Sequence, residues 1–100
     1  MTYHGIEIPR EEIAEFCRQH RIHRLSLFGS ILRDDFGIGS DIDVLVEFEP
    51  QATPGLAFFA MQDELTDIFG RAVDLHTVAS LSKYFRDEVL AEAEVQYGAA

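Results

Sequence analysis

The sequence has a single cysteine, Cys17, and no apolar run close to the roughly 20 residues that a membrane-spanning helix requires. One cysteine excludes an intramolecular disulfide framework and a cysteine-based zinc site. The N-terminus also lacks the basic segment followed by an apolar segment that marks a signal peptide. These absences predict a soluble protein of the reducing cytoplasm, without a membrane partner.

Basic residues are scarce as well: 8 lysines and arginines stand against 18 aspartates and glutamates, which gives a net charge of −10. Such a chain repels a nucleic-acid backbone unless its basic residues cluster. The densest group is small and consists of Arg18, Arg21 and Arg24, with His20 and His23 nearby. We therefore expect no direct nucleic-acid binding, whereas a partner protein with a basic surface would suit the acidic balance.

Hydrophobic residues make up 47% of the 100 residues and charged residues 26%, which is typical of a globular protein. A chain of this length buries roughly 60–68% of its unfolded surface, enough for one modest core. We expect a single domain over residues 1–100, with an irregular segment at 1–8 and no internal repeat or linker.

The first helix is predicted to open at Pro9, because proline suits the first helical position, where its missing N–H is no loss. Acidic residues at Glu11 and Glu12 favour the positive end of the helix dipole. Apolar spacing then predicts a buried face, which makes Cys17 a small core residue rather than a reactive thiol. The residues of this face are Ile13, Phe16, Cys17 and His20.

Two strands are predicted on either side of a glycine-containing loop. Residues 24–28 form a short apolar run that ends at Gly29, and residues 41–48 alternate as a strand does. Ser30 is placed to cap a short helix over 31–34. One face of the second strand should carry Ile42, Val44, Val46 and Phe48, and the other Asp41, Asp43, Leu45 and Glu47.

The second half of the chain predicts a turn over 50–55, a helix, a strand over 72–77 and a final helix. Thr53 and Pro54 are typical of a helix start and Gly70 of a helix end. Ser80 is the predicted cap of the final helix. The predicted buried residues of the two helices are Leu56, Phe59, Ala60, Leu65, Ile68 and Phe69, then Phe85, Val89 and Ala93. The expected fold is a small α/β domain with helices packed against a three-stranded sheet.

Asp41 and Asp43 carry the first chemical signal. Residues two apart on a strand share a face with Cα atoms about 6.6 Å apart, so the two carboxylates can converge. Two acids beside apolar strands are unfavourable unless a positive charge lies between them, and Mg²⁺ takes carboxylate oxygens together with substrate phosphates. Asp74 on the third strand could join them, and three acids can hold two ions about 3.5–4 Å apart.

A bare pair of aspartates is weak support for a site, since Asp41 could be a turn residue and Asp43 a solvated strand acid. An EF-hand is excluded because Leu45 and Val46 stand at the fifth and sixth positions. No Walker A lysine follows Gly29.

Gly29 and Ser30 carry the second signal, because a glycine after a strand lets a ligand approach the backbone, and the helix start offers unpaired N–H groups for phosphate. An ordinary strand, turn and helix with a serine cap would give the same pair of residues.

The combination is more specific than its parts: Gly29-Ser30, ten residues, then Asp41-x-Asp43, followed by a later strand acid, Asp74. This pattern resembles the nucleotidyltransferase superfamily that includes DNA polymerase β, and in particular its minimal nucleotidyltransferases. The resemblance covers nearly the whole chain. It includes LFGS at 27–30, Arg33, SDIDVLVEFEP at 40–50, PGL at 54–56, GRAVDL at 70–75 and YFRDEVLAEAEVQY at 84–97.

The resemblance implies a mixed sheet flanked by helices, like the polymerase β palm. It implies that Asp41, Asp43 and Asp74 hold two Mg²⁺ ions and that Asp74 assists deprotonation of the attacking hydroxyl. Gly29 and Ser30 would contact the β- and γ-phosphates of ATP. Transfer of a nucleoside monophosphate with release of pyrophosphate would follow.

Two further residues lie near these motifs. Arg33 could reach a phosphate or pair with Asp34 or Asp35. His76 shares the Asp74 face and is interpreted as a bystander.

Stand-alone members of this size resemble the antitoxin of a toxin–antitoxin pair, which implies transfer of AMP from ATP to a tyrosine of a HEPN ribonuclease toxin within a hetero-oligomer. One alternative is an antitoxin that acts by binding alone, which three acids on one sheet face disfavour. A second is transfer to a small molecule such as an aminoglycoside, for which a substrate-binding domain is missing. A third is nucleotide addition to RNA, which the net charge of −10 disfavours.

Overall fold

The computed structural model describes residues 2–52 and 54–98 and contains one four-stranded mixed sheet, a two-stranded hairpin and three α-helices. In chain order these are β1 (Thr2–Tyr3), β2 (Ile6–Glu7), α1 (Arg10–Gln19), β3 (Ile22–Phe28), a 3₁₀-helix (Gly29–Leu32), β4 (Ile42–Phe48), α2 (Ala57–Phe69), β5 (Val73–Thr77), α3 (Arg86–Glu92) and β6 (Glu94–Tyr97). The sheet order is β5-β4-β3-β6, with β4 parallel to β5 and the other pairs antiparallel. None of the helices in the described ranges is long and apolar enough to cross a membrane.

The prediction of three strands was wrong by one, because residues 94–97 form β6 instead of extending the final helix. Ala93 leaves the helix with φ −58° and ψ 135°, and the chain turns back as an extended strand. Val95 pairs with Ser26 of β3, and Tyr97 pairs with Leu25. This pairing covers the edge of β3 that a three-stranded sheet would leave open.

The start of the chain is ordered rather than irregular, since β1 and β2 pair as a hairpin. Its two turn residues, His4 and Gly5, have φ values of 52° and 79°. Positive φ at both positions is the geometry of a tight type I′ turn. Tyr3 and Ile6 thereby pack against the main core.

Helix α1 begins at Arg10, one residue after the predicted start, and buries its predicted apolar face. Ile13, Phe16 and Cys17 are fully enclosed, whereas His20 at the helix end stays partly exposed beside Glu64. Burial raises the pKa of the Cys17 thiol to about 12. The prediction of a small core residue is therefore confirmed, since a protonated and enclosed thiol has no nucleophilic role.

Helix α2 confirms the second half of its predicted buried face, Leu65, Ile68 and Phe69, but not the first half. It begins at Ala57 rather than at Pro54, and the predicted cap Thr53 lies outside the described residues. Leu56 and Phe59 are 86% and 70% exposed. The face that packs on the core is Phe58, Met61, Leu65, Ile68 and Phe69. The predicted end is confirmed, because Gly70 adopts the left-handed conformation with φ 68°.

The final helix also begins later than predicted. Ser80 does not cap it but closes a turn through hydrogen bonds with Thr77, and α3 starts at Arg86. Phe85 is 61% exposed, whereas Val89 and Ala93 pack on the sheet as expected.

The two faces of the sheet are covered separately. Helices α1 and α2 pack on the face that carries Ile42, Val44 and Val46 of β4. The opposite face carries a smaller cluster, formed by Phe28, Leu45 and Leu81 with Val78, Val89 and Ala93. Because successive strand residues alternate between faces, Asp43 and Asp74 lie on this second side, next to the smaller cluster.

Candidate active site

The register of the sheet brings two of the three predicted acids together. Asp43 of β4 is the direct neighbour of Asp74 on β5 and of Phe28 on β3. Asp43 is partly buried at the centre of this row, whereas Asp74 on the outer strand is half exposed. The parallel pairing of β4 with β5 therefore confirms that adjacent strands place Asp74 beside Asp43.

His76 completes a cluster with the two acids. Its Nε2 lies 3.1 Å from Asp74 Oδ2 and 3.7 Å from Asp43 Oδ1. One ligand atom from each of the three residues lies within 4.8 Å of the others. The sequence placed His76 on the Asp74 face as a bystander, and the structure places its ring between the two carboxylates.

The donor set fits a divalent cation. The buried Nε2 of His76 makes no hydrogen bond of acceptable geometry within the described part of the chain, although two carboxylate oxygens are close. A buried polar atom without a partner is unfavourable, and a metal ion among the three groups would satisfy it. Of the predicted metal ligands, Asp43 and Asp74 belong to this cluster, and Asp41 does not.

The charge state of Asp43 supports the same conclusion. Burial raises the pKa of the Asp43 carboxyl, the His76 ring opposes that rise, and the negative charges of Asp74 and Asp41 add to it. A raised pKa means that the folded protein disfavours a further negative charge at this point. A bound cation would relieve that penalty.

Gly29 lies against Asp43 and has no room for a side chain. Its φ is +76°, and a Cβ at this position would overlap Asp43 Oδ2 and lie 3.1 Å from Cγ. The glycine therefore permits both the left-handed turn after β3 and the close approach of the Asp43 carboxylate.

The short helix at this turn begins two residues earlier than predicted. It is a 3₁₀-helix over Gly29–Leu32 rather than a helix over 31–34, and Ser30 lies inside it without acting as its cap. The predicted contact of Ser30 with phosphate stays a prediction.

Glu92 at the end of α3 covers the donors that were predicted to bind phosphate. Its Oε1 accepts a hydrogen bond from the Gly29 N–H at 3.4 Å, and its Oε2 lies 3.4 Å from Arg33 Nη1. Arg33 also lies 4.0 Å from Asp35, which confirms one of its two predicted roles. Glu92 was not predicted from the sequence, because nothing in its local sequence distinguishes it from the other acids of α3. The position of His76 on the same face as Asp74 could be predicted from the alternation of strand residues.

The loop that leads to Asp41 is held by Arg71, which follows α2. The Arg71 guanidinium lies 4.4 Å from the centre of the Phe36 ring and donates to the Ser40 carbonyl at 3.2 Å. This contact fixes the segment between the 3₁₀-helix and β4, so that Asp41 and Asp43 enter the sheet at a defined position.

Comparison with known proteins gives the same architecture. The family model of the nucleotidyltransferase domain matches residues 10–95. The chain belongs to the nucleotidyltransferase domain family. The protein adenylyltransferase MntA of Thermococcus cleftensis is 30% identical over 90 residues, which are 82% of this chain and 90% of the relative.

Two solved structures resemble this nucleotidyltransferase domain in fold. One is the crystal structure of a toxin–antitoxin with AMP-PNP, with a TM-score of 0.73 at 21% identity over 92% of this chain and 75% of the other. The second is a tri-AMPylated HEPN toxin of Shewanella oneidensis in complex with its MNT antitoxin. Its TM-score is 0.66 at 22% identity, over 91% of this chain and 71% of the other.

Proposed function

We propose that this nucleotidyltransferase domain is an antitoxin that transfers AMP from ATP to a tyrosine hydroxyl of a HEPN ribonuclease toxin in the cytoplasm and thereby neutralises it. The observation that carries the proposal is the contact of Asp43 with both Asp74 and Gly29. It supports a cation site directly beside a backbone donor for phosphate. The relationship to MntA adds the protein acceptor, and the two structural neighbours add the nucleotide and the toxin.

Asp43 and Asp74, with Asp41 close by in sequence, would hold the Mg²⁺ ions that the resemblance implies. Bound magnesium would neutralise the triphosphate and the charge that develops on the leaving pyrophosphate. The donors for the phosphate oxygens are the Gly29 N–H and Arg33, with the Ser30 hydroxyl next in the chain. Together these groups would hold the α-phosphate at a fixed place above the sheet.

The transfer then needs one proton acceptor. The tyrosine oxygen forms a bond to the α-phosphorus, the bond from that phosphorus to the bridging oxygen of pyrophosphate breaks, and the hydroxyl proton moves to a carboxylate oxygen of Asp74. Asp74 suits this role because it is half exposed at the outer strand, where a partner's side chain can reach it.

The proposal is tested by mixing this protein with the product of the adjacent gene, as the candidate toxin, in the presence of ATP and Mg²⁺ and following the intact mass of that product. The expected result is a gain of one or more AMP groups, together with loss of ribonuclease activity. Toxin neutralised without a change in mass would favour the antitoxin that acts by binding alone. AMP recovered only on a small molecule would contradict the protein acceptor.

The Glu92 carboxylate predicts an effect on nucleotide affinity. A bound triphosphate must displace the Glu92 carboxylate from the Gly29 N–H and from Arg33. The triphosphate and the carboxylate are both negatively charged, so they compete for these donors. Glu92→Gln is therefore expected to lower the Kd for AMP-PNP with Mg²⁺ by about 3- to 10-fold, since the exposed carboxylate is partly screened. Isothermal titration calorimetry measures this change.

The matched control for that variant is Asp87→Asn, which removes one charge from an exposed position of the same helix. It should leave the Kd within about twofold of the unmodified protein. Equal tightening by both variants would mean that general charge repulsion, rather than displacement of Glu92, governs nucleotide binding.

A further inference from the structure

The ring of His76 is held in place at the cation site by its surroundings. It follows Asp74 by two residues on β5, so both side chains emerge on the same face of the sheet. The Phe28 ring packs edge-on against it, with ring centres 5.2 Å apart and an angle of 68° between the planes. The imidazole is therefore a fixed part of the site rather than a mobile surface group.

The distances around Nε2 match those between ligands of a metal ion. Bonds of about 2.0–2.2 Å that meet at about 90–120° place neighbouring ligand atoms about 2.8–3.8 Å apart. The observed separations are 3.1 Å to Asp74 Oδ2 and 3.7 Å to Asp43 Oδ1. Neither approach has hydrogen-bond geometry, so the buried nitrogen has no other partner within residues 2–52 and 54–98.

From this geometry we infer that His76 is a nitrogen ligand of the cation, and that the site therefore prefers a transition-metal ion such as Mn²⁺ to Mg²⁺. Mg²⁺ prefers oxygen ligands, whereas first-row transition metals accept imidazole nitrogen along with carboxylate oxygen. Mn²⁺ is the ion of this group that also suits carboxylates, water and phosphate oxygens. The inference deepens the proposed function, because it concerns the cation of the same site.

Mn²⁺ itself provides a direct test in the full-length protein. In pulsed electron paramagnetic resonance, a coordinated imidazole couples its ¹⁴N nucleus to the Mn²⁺ electron spin. We expect this coupling in the unmodified protein and its loss in His76→Val, in which a β-branched residue suits the strand. Absence of nitrogen coupling from the unmodified protein with Mn²⁺ bound would overturn the inference, whatever the variant does.

Affinity for the two ions gives the second measurement. Calorimetric titration should give a Kd for Mn²⁺ at least about tenfold lower than that for Mg²⁺. His76→Val should raise the Kd for Mn²⁺ by about 10- to 100-fold and leave that for Mg²⁺ within about threefold, so the preference disappears. Unchanged Mn²⁺ affinity in the variant would make His76 an internal counter-charge to the acids and contradict the inference.

The matched control is His23→Val, which removes a histidine from an exposed position on β3. It should keep both the nitrogen coupling and the preference for Mn²⁺. These measurements need neither nucleotide nor toxin, so they separate the inference from the proposed function. A protein that binds Mn²⁺ through nitrogen but transfers no AMP would contradict only the proposed function.

Discussion

Asp43→Asn is expected to abolish AMP transfer, with a fall of at least about 10³-fold in kcat/KM, while the fold is retained. The carboxylate is central to the proposed cation site. Loss of a metal's charge compensation removes several kcal/mol of transition-state stabilisation, and each 1.4 kcal/mol is about tenfold in rate. An amide has nearly the same shape, so packing against Gly29 and Phe28 is preserved. The rate of toxin modification, followed by mass, checks the loss.

The stability of the same variant has a definite sign. Burial raises the pKa of Asp43 above its unfolded value, so the ionised carboxylate destabilises the metal-free fold at neutral pH. Asp43→Asn should therefore have an unchanged or higher Tm without metal at pH 7. This unfavourable contribution is full above the folded pKa of Asp43, shrinks as the pH falls below it and is lost below the unfolded pKa, so the two proteins should converge towards low pH. Thermal melts over a series of pH values from 7 downwards measure the difference.

Asp63→Asn is the matched control for these measurements, because Asp63 is an exposed residue of α2, the helix on the opposite face of the sheet. Asp63→Asn should retain AMP transfer, and an added divalent cation should raise its Tm by the same amount as that of the unmodified protein. The cation should not raise the Tm of Asp43→Asn. A ligand stabilises a protein only by binding its folded state, and this variant lacks a carboxylate of the proposed site. If Asp43→Asn instead unfolded, Asp43 would be a structural residue and the cation site would be assigned wrongly.

The strands that build the site were predictable because their side chains obey a simple alternation. In β4, Asp43 stands between Ile42 and Val44. Because successive side chains of a strand point to opposite faces, Asp43 must lie on the face opposite to these two apolar residues. The same holds for Asp74 between Val73 and Leu75 in β5. Strands that have one buried face fix both their register and the direction of their polar residues.

The helices were less predictable because apolar residues occur on more than one of their faces. In α2, Phe58 and Phe59 are adjacent, and only tertiary packing decides that Phe58 is covered while Phe59 is 70% exposed. Strand β6 escaped prediction for a similar reason. Residues 84–97 form one uninterrupted helix-compatible stretch, and the break at Ala93 depends on the open edge of β3.

The contacts of Glu92 were beyond sequence reasoning altogether. Glu92 reaches Gly29, 63 positions earlier in the chain, only because α3 ends above the turn that follows β3. No local pattern reports such a distant pairing, since the exposed acids of a helix differ only in what the fold brings near them.

Gly29→Ala is expected to reduce kcat/KM by at least about 100-fold and to lower the free energy of unfolding by about 2–5 kcal/mol. Two costs add: a non-glycine residue at positive φ costs about 1–2 kcal/mol, and forced overpacking about 1–3 kcal/mol. The added methyl group would overlap Asp43 Oδ2, so the carboxylate must move away from Asp74 and His76. A shift of about 1 Å in a catalytic group is enough to cost 10²-fold.

Gly39→Ala controls for the loss of a glycine alone. Gly39 lies in the loop before β4, a Cβ there would meet nothing within 4 Å, and its backbone is outside the left-handed region. It should keep transfer and stability near those of the unmodified protein. Urea unfolding measures the loss of stability in Gly29→Ala. A loss of about 2–5 kcal/mol is smaller than most of the typical total of about 5–15 kcal/mol, so the variant is expected to stay folded. The prediction would be contradicted by a folded Gly29→Ala variant that keeps full Mn²⁺ affinity and full AMP transfer. In that case Asp43 can move without loss of the site, and the close packing of Gly29 against its carboxylate is not required for catalysis.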